Sequence, residues 1–143
     1  MEDIFIVELT EEDAVSAYPV VKQLRDHLDE ESYLELVKEA MANEGYRMFG
    51  LVNGDLLVSV IGLMPMTTLY DGRAIWVSDL VTAEMQRSKG YGGILLEFAE
   101  EWARDHGYGK ITLSSGLQRE DAHRFYEEKM NYSKKSYVFK KTF

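Results

Sequence analysis

Arg87-Ser88-Lys89-Gly90-Tyr91-Gly92-Gly93 joins two segments of different character. Before it runs an apolar, strand-like stretch, Ala74-Ile75-Trp76-Val77-Ser78-Asp79-Leu80-Val81-Thr82. After it, Ile94, Leu95, Phe98, Ala99, Trp102 and Ala103 recur at helical spacing to about His106, with Glu97, Glu100, Glu101, Arg104 and Asp105 on the opposite side. A strand, a glycine loop and a helix N-terminus make an anion cradle, because backbone amides converge there and the helix dipole adds partial positive charge. Two common cradles fail on residues that they require. A Walker loop ends Gly-Lys-Ser/Thr, whereas this one ends Gly92-Gly93-Ile94. A dinucleotide fingerprint needs a third glycine where Leu95 stands, and an acid about 20 residues on, near Lys110.

Outward from the loop, the pattern is that of one α/β domain over residues 1–143. Ile4 to Leu9 predicts a first strand. Thr10 and Asp13 form a capping pair for a helix running to about His27, with Pro19 breaking or kinking it near Tyr18. Tyr33, Leu36, Val37, Ala40 and Met41 give a helix from Glu30 to about Asn43 its apolar stripe. Tyr46 to Val52, a type I′ turn at Asn53-Gly54, Leu56 to Leu63 or Met66 with a bulge at Gly62, a turn at Tyr70-Asp71-Gly72-Arg73, and Ala74 to Val81 make an antiparallel meander. Gly107 and Asn131 are placed to cap helices in the left-handed conformation. Lys110 to Ser114 is a short strand, Glu120 to Met130 a helix, and Tyr132 to Phe139 alternates as a last strand.

Composition narrows the chemistry. With no cysteine there is no disulfide, no thiol nucleophile and no thiolate metal site. His27, His106 and His123 lack ligand spacing, so no metal is expected. The start, Met1-Glu2-Asp3-Ile4, lacks a signal peptide's basic flank, and no apolar run approaches the roughly 20 residues of a membrane span. A cytoplasmic protein without membrane contact is the expectation. The formal net charge of −9 offers no basic field for nucleic acid and suits a cationic substrate.

What remains of the loop is R-x-x-G-x-G, from Arg87 to Gly92. Together with Ala122-His123-Arg124-Phe125-Tyr126-Glu127, an A-x-x-F-Y-E stretch before a final strand, it resembles the GNAT acyltransferase superfamily, near small bacterial-type members. The order of elements from Ile4 to Phe139 matches too. The resemblance implies a mixed, mostly antiparallel sheet of about six to seven strands flanked by about four helices and splayed at the cofactor site. It implies transfer of acetyl from acetyl-CoA directly to a primary amine of a small molecule or peptide, by a monomer or homodimer. The cofactor's pyrophosphate would lie on Arg87, Ser88, Lys89, Gly90, Tyr91, Gly92 and Gly93, and its pantetheine arm along the backbone of Leu80, Val81 and Thr82. Arg119 replaces an asparagine that contacts the cofactor in many relatives. Tyr126 matches the general acid that protonates the leaving thiolate. Asp79 is the carboxylate best placed to be the base, with Ser78 where relatives often carry an acid; Glu84 and His123 are further candidates. Asp26, Asp29, Glu30, Glu31, Tyr33 and the loop near Met66 fall where relatives recognise the acceptor. A catalytically quiet acyl-CoA-binding or regulatory module of the same fold is the alternative, and a nucleotide-binding protein the third.

Overall fold

The computed structural model describes residues 3–143; Met1 and Glu2, half of the acidic start, lie outside the described residues. The chain divides into two compact units, one ending at Thr112 and the other spanning Leu113–Phe143.

The first unit carries β1 (Ile4–Leu9), α1 (Ala14–Val21), α2 (Glu30–Asn43), β2 (Arg47–Asn53), β3 (Leu56–Thr68), β4 (Gly72–Thr82), a 3₁₀ turn (Glu84–Gln86) and α3 (Tyr91–Asp105), and leads into β5 (Lys110–Leu113). The strands form one sheet in the order β1-β2-β3-β4-β5. The first three pairings are antiparallel. The Gly109 amide donates to the Arg73 carbonyl at 3.2 Å. The start of β5 thus lies beside the start of β4, and two sheet neighbours that begin together run parallel. The helix between them is the crossover that parallel neighbours require. The sheet is therefore mixed.

Side-chain alternation assigns the two faces. Met48, Val60, Val81 and Leu9 are buried in one cluster with Ala14, Ala17, Val20, Val21, Tyr33 and Val37, so α1 and α2 cover that face. Phe49, one residue from Met48, points the other way. It meets Phe98 edge-on at 4.9 Å and Trp102 at 6.2 Å, so α3 covers the second face. Arg47 lies over Phe49 and Trp102 and pairs with both oxygens of Glu8, at 2.8 and 3.0 Å. Leu95, Leu96 and Ala99 of α3 have no solvent exposure. Burying each leucine contributes roughly 1.5–3 kcal/mol.

Local expectations hold where a short-range rule decides them. Asp13 accepts from both the amide and the hydroxyl of Thr10, the reciprocal half of a capping box. Asp29 caps α2 through the Ser32 amide at 2.8 Å, and that bond holds its carboxyl below the usual range. Gly107 (φ 83°) and Asn131 (φ 61°) take the left-handed conformation expected of them.

Other expectations are corrected. Helix α1 ends at Val21, not near His27, and Pro19 lies inside it. Leu36 is 51% exposed because the buried stripe of α2 is narrower, centred on Tyr33 and Val37. In the first hairpin Asn53 pairs with Leu56, so the loop residues are Gly54 and Asp55. Only Gly54 has positive φ, which is the II′ rather than the I′ form. The bulge opposite Gly62 belongs to β4: Gly62 faces Asp79 and Leu63 faces Val77, leaving Ser78 as the extra residue.

The second unit holds α4 (Glu120–Arg124), which widens into a π turn over Phe125–Lys129. The Met130 amide donates to the Phe125 carbonyl, five residues back. The expected strand from Tyr132 to Phe139 is not formed among the described residues, so the sheet has five strands, not six or seven. Alternation records which face a strand would turn inward; it does not supply a neighbour to complete the ladder. Tyr137, Val138 and Phe139 are exposed accordingly.

Candidate active site

The site is built from the end of β4. Ala83 N–H donates to Val58 O at 2.8 Å, which marks 58 and 83 as a hydrogen-bonded pair. Such pairs alternate along an antiparallel ladder. Val81, opposite Val60, therefore directs its N–H and C=O toward β3. Leu80 and Thr82, opposite Ile61 and Ser59, direct theirs away from β3. On that outer side β5 runs with an offset set by Gly109 beside Arg73, so Leu113 reaches only about Val77. Residues 78–82 of β4 outrun it. Among the described residues no strand lies beside the outward groups of Leu80 and Thr82, and an extended ligand can pair there by strand addition. Of the three β4 residues expected along the pantetheine arm, Leu80 and Thr82 turn their backbone groups away from β3, whereas Val81 turns its own toward β3 and buries its side chain.

The cradle follows. Gly90 (φ 85°) and Ser88 (φ 66°) are both left-handed, which turns the chain sharply into α3. Gly90 is the N-cap, and no side chain caps the helix. The first bond within the helix runs from Ile94 N–H to Gly90 O, so the Gly92 and Gly93 amides have no acceptor in the helix itself. Tyr91 is 1% exposed: its ring belongs to the core, and its hydroxyl accepts from Asn53 Nδ2. Only its backbone belongs to the cradle. Arg87 donates through Nε to the Thr82 carbonyl at 3.1 Å, and Lys89 donates to Gln86 Oε1. Arg87 thus ties the loop to the strand end and keeps its remaining guanidinium donors.

Beneath this lies Ser59, a buried polar side chain of the sheet. Its hydroxyl lies 2.9 Å from both Val81 O and Thr82 Oγ1. A carbonyl only accepts, so the Ser59 proton points at Val81 and Thr82 must donate to Ser59. The Thr82 oxygen is left as an acceptor, 3.7 Å from where a Cβ on Gly92 would sit. A valine at 90 leaves this floor intact, because nothing lies within 4 Å of the added Cβ, but it strains the left-handed turn by about 1–2 kcal/mol. Gly90→Val is expected to weaken CoA binding about 10-fold in calorimetry, and its strain to lower the melting temperature by only about 3–6 °C.

Asp79, on the face covered by α1 and α2, is held from two sides. Arg25 Nε donates to Oδ1 at 3.0 Å and the Tyr46 hydroxyl to Oδ2 at 2.8 Å. Arg25 Nη2 also donates to the Ser78 carbonyl at 2.8 Å, pinning the bulge. Burial, and then the Asp79 charge, push the Tyr46 phenol well above its ordinary value, so Tyr46 is a fixed donor. Tyr46→Phe is expected to destabilise the fold by about 1–2 kcal/mol in urea, leaving a half-buried carboxylate oxygen short of a partner.

Arg25, Tyr46 and Ser59 were not legible as site residues. Ser59 alone left a trace, a hydroxyl within the apolar run Val58-Ser59-Val60-Ile61. Tyr33, read as an acceptor contact, is instead 2% exposed and bonds the Ala14 carbonyl; burial pushes its phenol up to about 12. Glu84 begins the 3₁₀ turn, its amide held by Gln23 Oε1 at 2.7 Å.

In the second unit, Tyr126 lies in the π turn, with Phe125 at 5.4 Å and Tyr132 at 6.1 Å. Burial raises its phenol, against a smaller lowering by Arg119, so it is protonated at neutral pH. A ring nitrogen of His123 is 2.9 Å from the Gly116 carbonyl. Among the described residues no group of acids and histidines is arranged to hold a metal, and no helix is long and apolar enough to cross a membrane.

Residues 6–132 match the Acetyltransferase (GNAT) family. The chain belongs to that family and is an acyltransferase. An uncharacterized N-acetyltransferase of Bacillus subtilis, YhdJ, is 42% identical over 139 residues, covering 96% of this chain and 98% of the relative. A transcriptional regulator from Bacillus halodurans superposes with a TM-score of 0.83 at 25% identity, covering 98% of this chain and 99% of the other. An aminoglycoside N-acetyltransferase, AAC(6')-Iy in complex with CoA, superposes with a TM-score of 0.86 at 10% identity, covering 99% and 96%; this likeness is one of fold.

Proposed function

We propose that residues 1–143 act as one acetyl-CoA-dependent N-acetyltransferase domain whose acceptor is a primary amine. The observation that carries this is the outward-facing backbone of Leu80 and Thr82, running directly into the uncapped amides of Gly92 and Gly93. The name of the Bacillus subtilis relative, an N-acetyltransferase, supports an amine acceptor.

Acetyl-CoA supplies an acyl group on a thiolate leaving group. The protein's own residues do the rest. Leu80 and Thr82 pair with the amides of the pantetheine arm. The Gly92 and Gly93 amides and the spare donors of Arg87, Ser88 and Lys89 take the pyrophosphate; Arg119 is a further cofactor contact. Asp79 takes the proton of the amine. A lysine-like ammonium is about a thousandth deprotonated at pH 7, which adds about 4–5 kcal/mol to the barrier unless such a base assists. Tyr126 donates a proton to the departing thiolate. Acids on the α1–α2 segment, Asp26, Asp29, Glu30 and Glu31, attract the cationic acceptor.

Incubation with acetyl-CoA and a panel of polyamines, aminoglycosides and peptide amines, followed by detection of free thiol, tests this. Thiol release that requires an amine is expected. A second reading, a regulator that binds acyl-CoA, is favoured by the name of the Bacillus halodurans neighbour. Thermal stabilisation by CoA with no turnover on any amine would favour it.

A further inference from the structure

Ser78 is the extra residue of the β4 bulge, and its polar groups are treated unequally. Its carbonyl receives Arg25 Nη2 at 2.8 Å. Its hydroxyl oxygen is out of contact with solvent and has no hydrogen-bond partner among the described residues. A buried hydroxyl without a partner is destabilising by about 1–3 kcal/mol, so it calls for an explanation. A bulge re-aims a side chain and releases a strand from its ladder. This one lies two residues before Leu80, at the inner end of the stretch of β4 that outruns β5.

We infer that the Ser78 hydroxyl is a hydrogen-bond donor to the acyl carbonyl oxygen of the bound thioester, and so a further catalytic residue. The inference rests on the acyl-CoA reading above. A ligand whose phosphates occupy the loop after β4, and whose arm pairs with Thr82 and then Leu80, carries its acyl end toward Ser78. There, rotation about the Cα–Cβ bond of Ser78 brings the hydroxyl out to the acceptor that the protein does not provide. Arg25 contributes by holding the Ser78 carbonyl, which fixes the bulge. No bond to Ser78 is made or broken; its proton stays on Oγ and is shared with the carbonyl oxygen, whose negative charge grows during attack by the amine.

The test compares three ligands by calorimetry: CoA, acetyl-CoA and S-ethyl-CoA, which has the same two carbons without the oxygen. Wild-type protein is expected to bind acetyl-CoA more tightly than S-ethyl-CoA. Ser78→Ala is expected to weaken acetyl-CoA about 3- to 10-fold and to leave CoA and S-ethyl-CoA within about 2-fold. The melting temperature of the ligand-free variant is expected to stay level or rise, because an unpaired buried hydroxyl has been removed. Ser78→Thr keeps a hydroxyl in a residue suited to a strand and is expected to retain the preference for acetyl-CoA. Equal losses for all three ligands, or no loss for acetyl-CoA, would overturn the role of Ser78 while leaving the acyl-CoA reading in place. Wild-type protein that binds none of the three would overturn that reading, and this inference with it. Should Ser78→Ala not fold, the wild-type comparison decides: no preference for acetyl-CoA over S-ethyl-CoA refutes the contact.

Discussion

Gly62→Ala is expected to destabilise the protein by about 3 kcal/mol or more, and to lower acyl transfer with it. A Cβ at position 62 would fall on the Tyr46 hydroxyl, 2.5 Å from its Cζ and 2.7 Å from its Cε1. That ring is buried and cannot move aside without giving up its bond to Asp79. The methyl group thus imposes overpacking, and a half-buried carboxylate loses a donor. Urea unfolding followed by tryptophan fluorescence measures the effect. Adding Tyr46→Phe does not rescue the variant, because the ring carbons clash as well as the hydroxyl. A change below about 1 kcal/mol would show that the bulge does not depend on a bare backbone at Gly62.

Tyr126→Phe is expected to lower turnover 10-fold or more while CoA affinity stays within about 2-fold. A 10-fold loss corresponds to about 1.4 kcal/mol of barrier. The phenol is half-buried and protonated at neutral pH, so phenylalanine removes a proton donor and keeps the ring that meets Phe125 and Tyr132. The measurement is kcat and KM for acetyl-CoA with an accepted amine. Unchanged kcat would remove Tyr126 from the role of acid. A fall in CoA affinity matching the fall in kcat would assign it to binding.

Residues that act through neighbours in sequence were easy to read. The capping pair of Thr10 and Asp13, the left-handed ends at Gly107 and Asn131, and the helix that follows the glycine loop depend on a few adjacent backbone groups. Tyr91 shows the limit. As the middle of a Gly-x-Gly loop it reads as a ligand contact, yet its ring is buried, since the first turn of α3 faces both the loop and the core. Asp79 shows it more strongly. Its position in β4 was legible, but Arg25 and Tyr46 reach it from 54 and 33 residues away. No spacing rule connects them.

The loop from Arg87 to Gly93, with the strand before it and the helix after it, was enough to imply an anion cradle and to exclude two nucleotide readings. The composition alone removed thiol chemistry. Those conclusions rest on what adjacent residues permit the backbone to do. Only the tertiary structure decided that Leu80 and Thr82, rather than Val81, turn their backbone outward. It also decided that Ser78 is the bulged residue, and that Asp79 is shared between an arginine after α1 and a tyrosine before β2. Register and burial arise from pairing between distant segments, and a one-residue slip exchanges every inward group for an outward one.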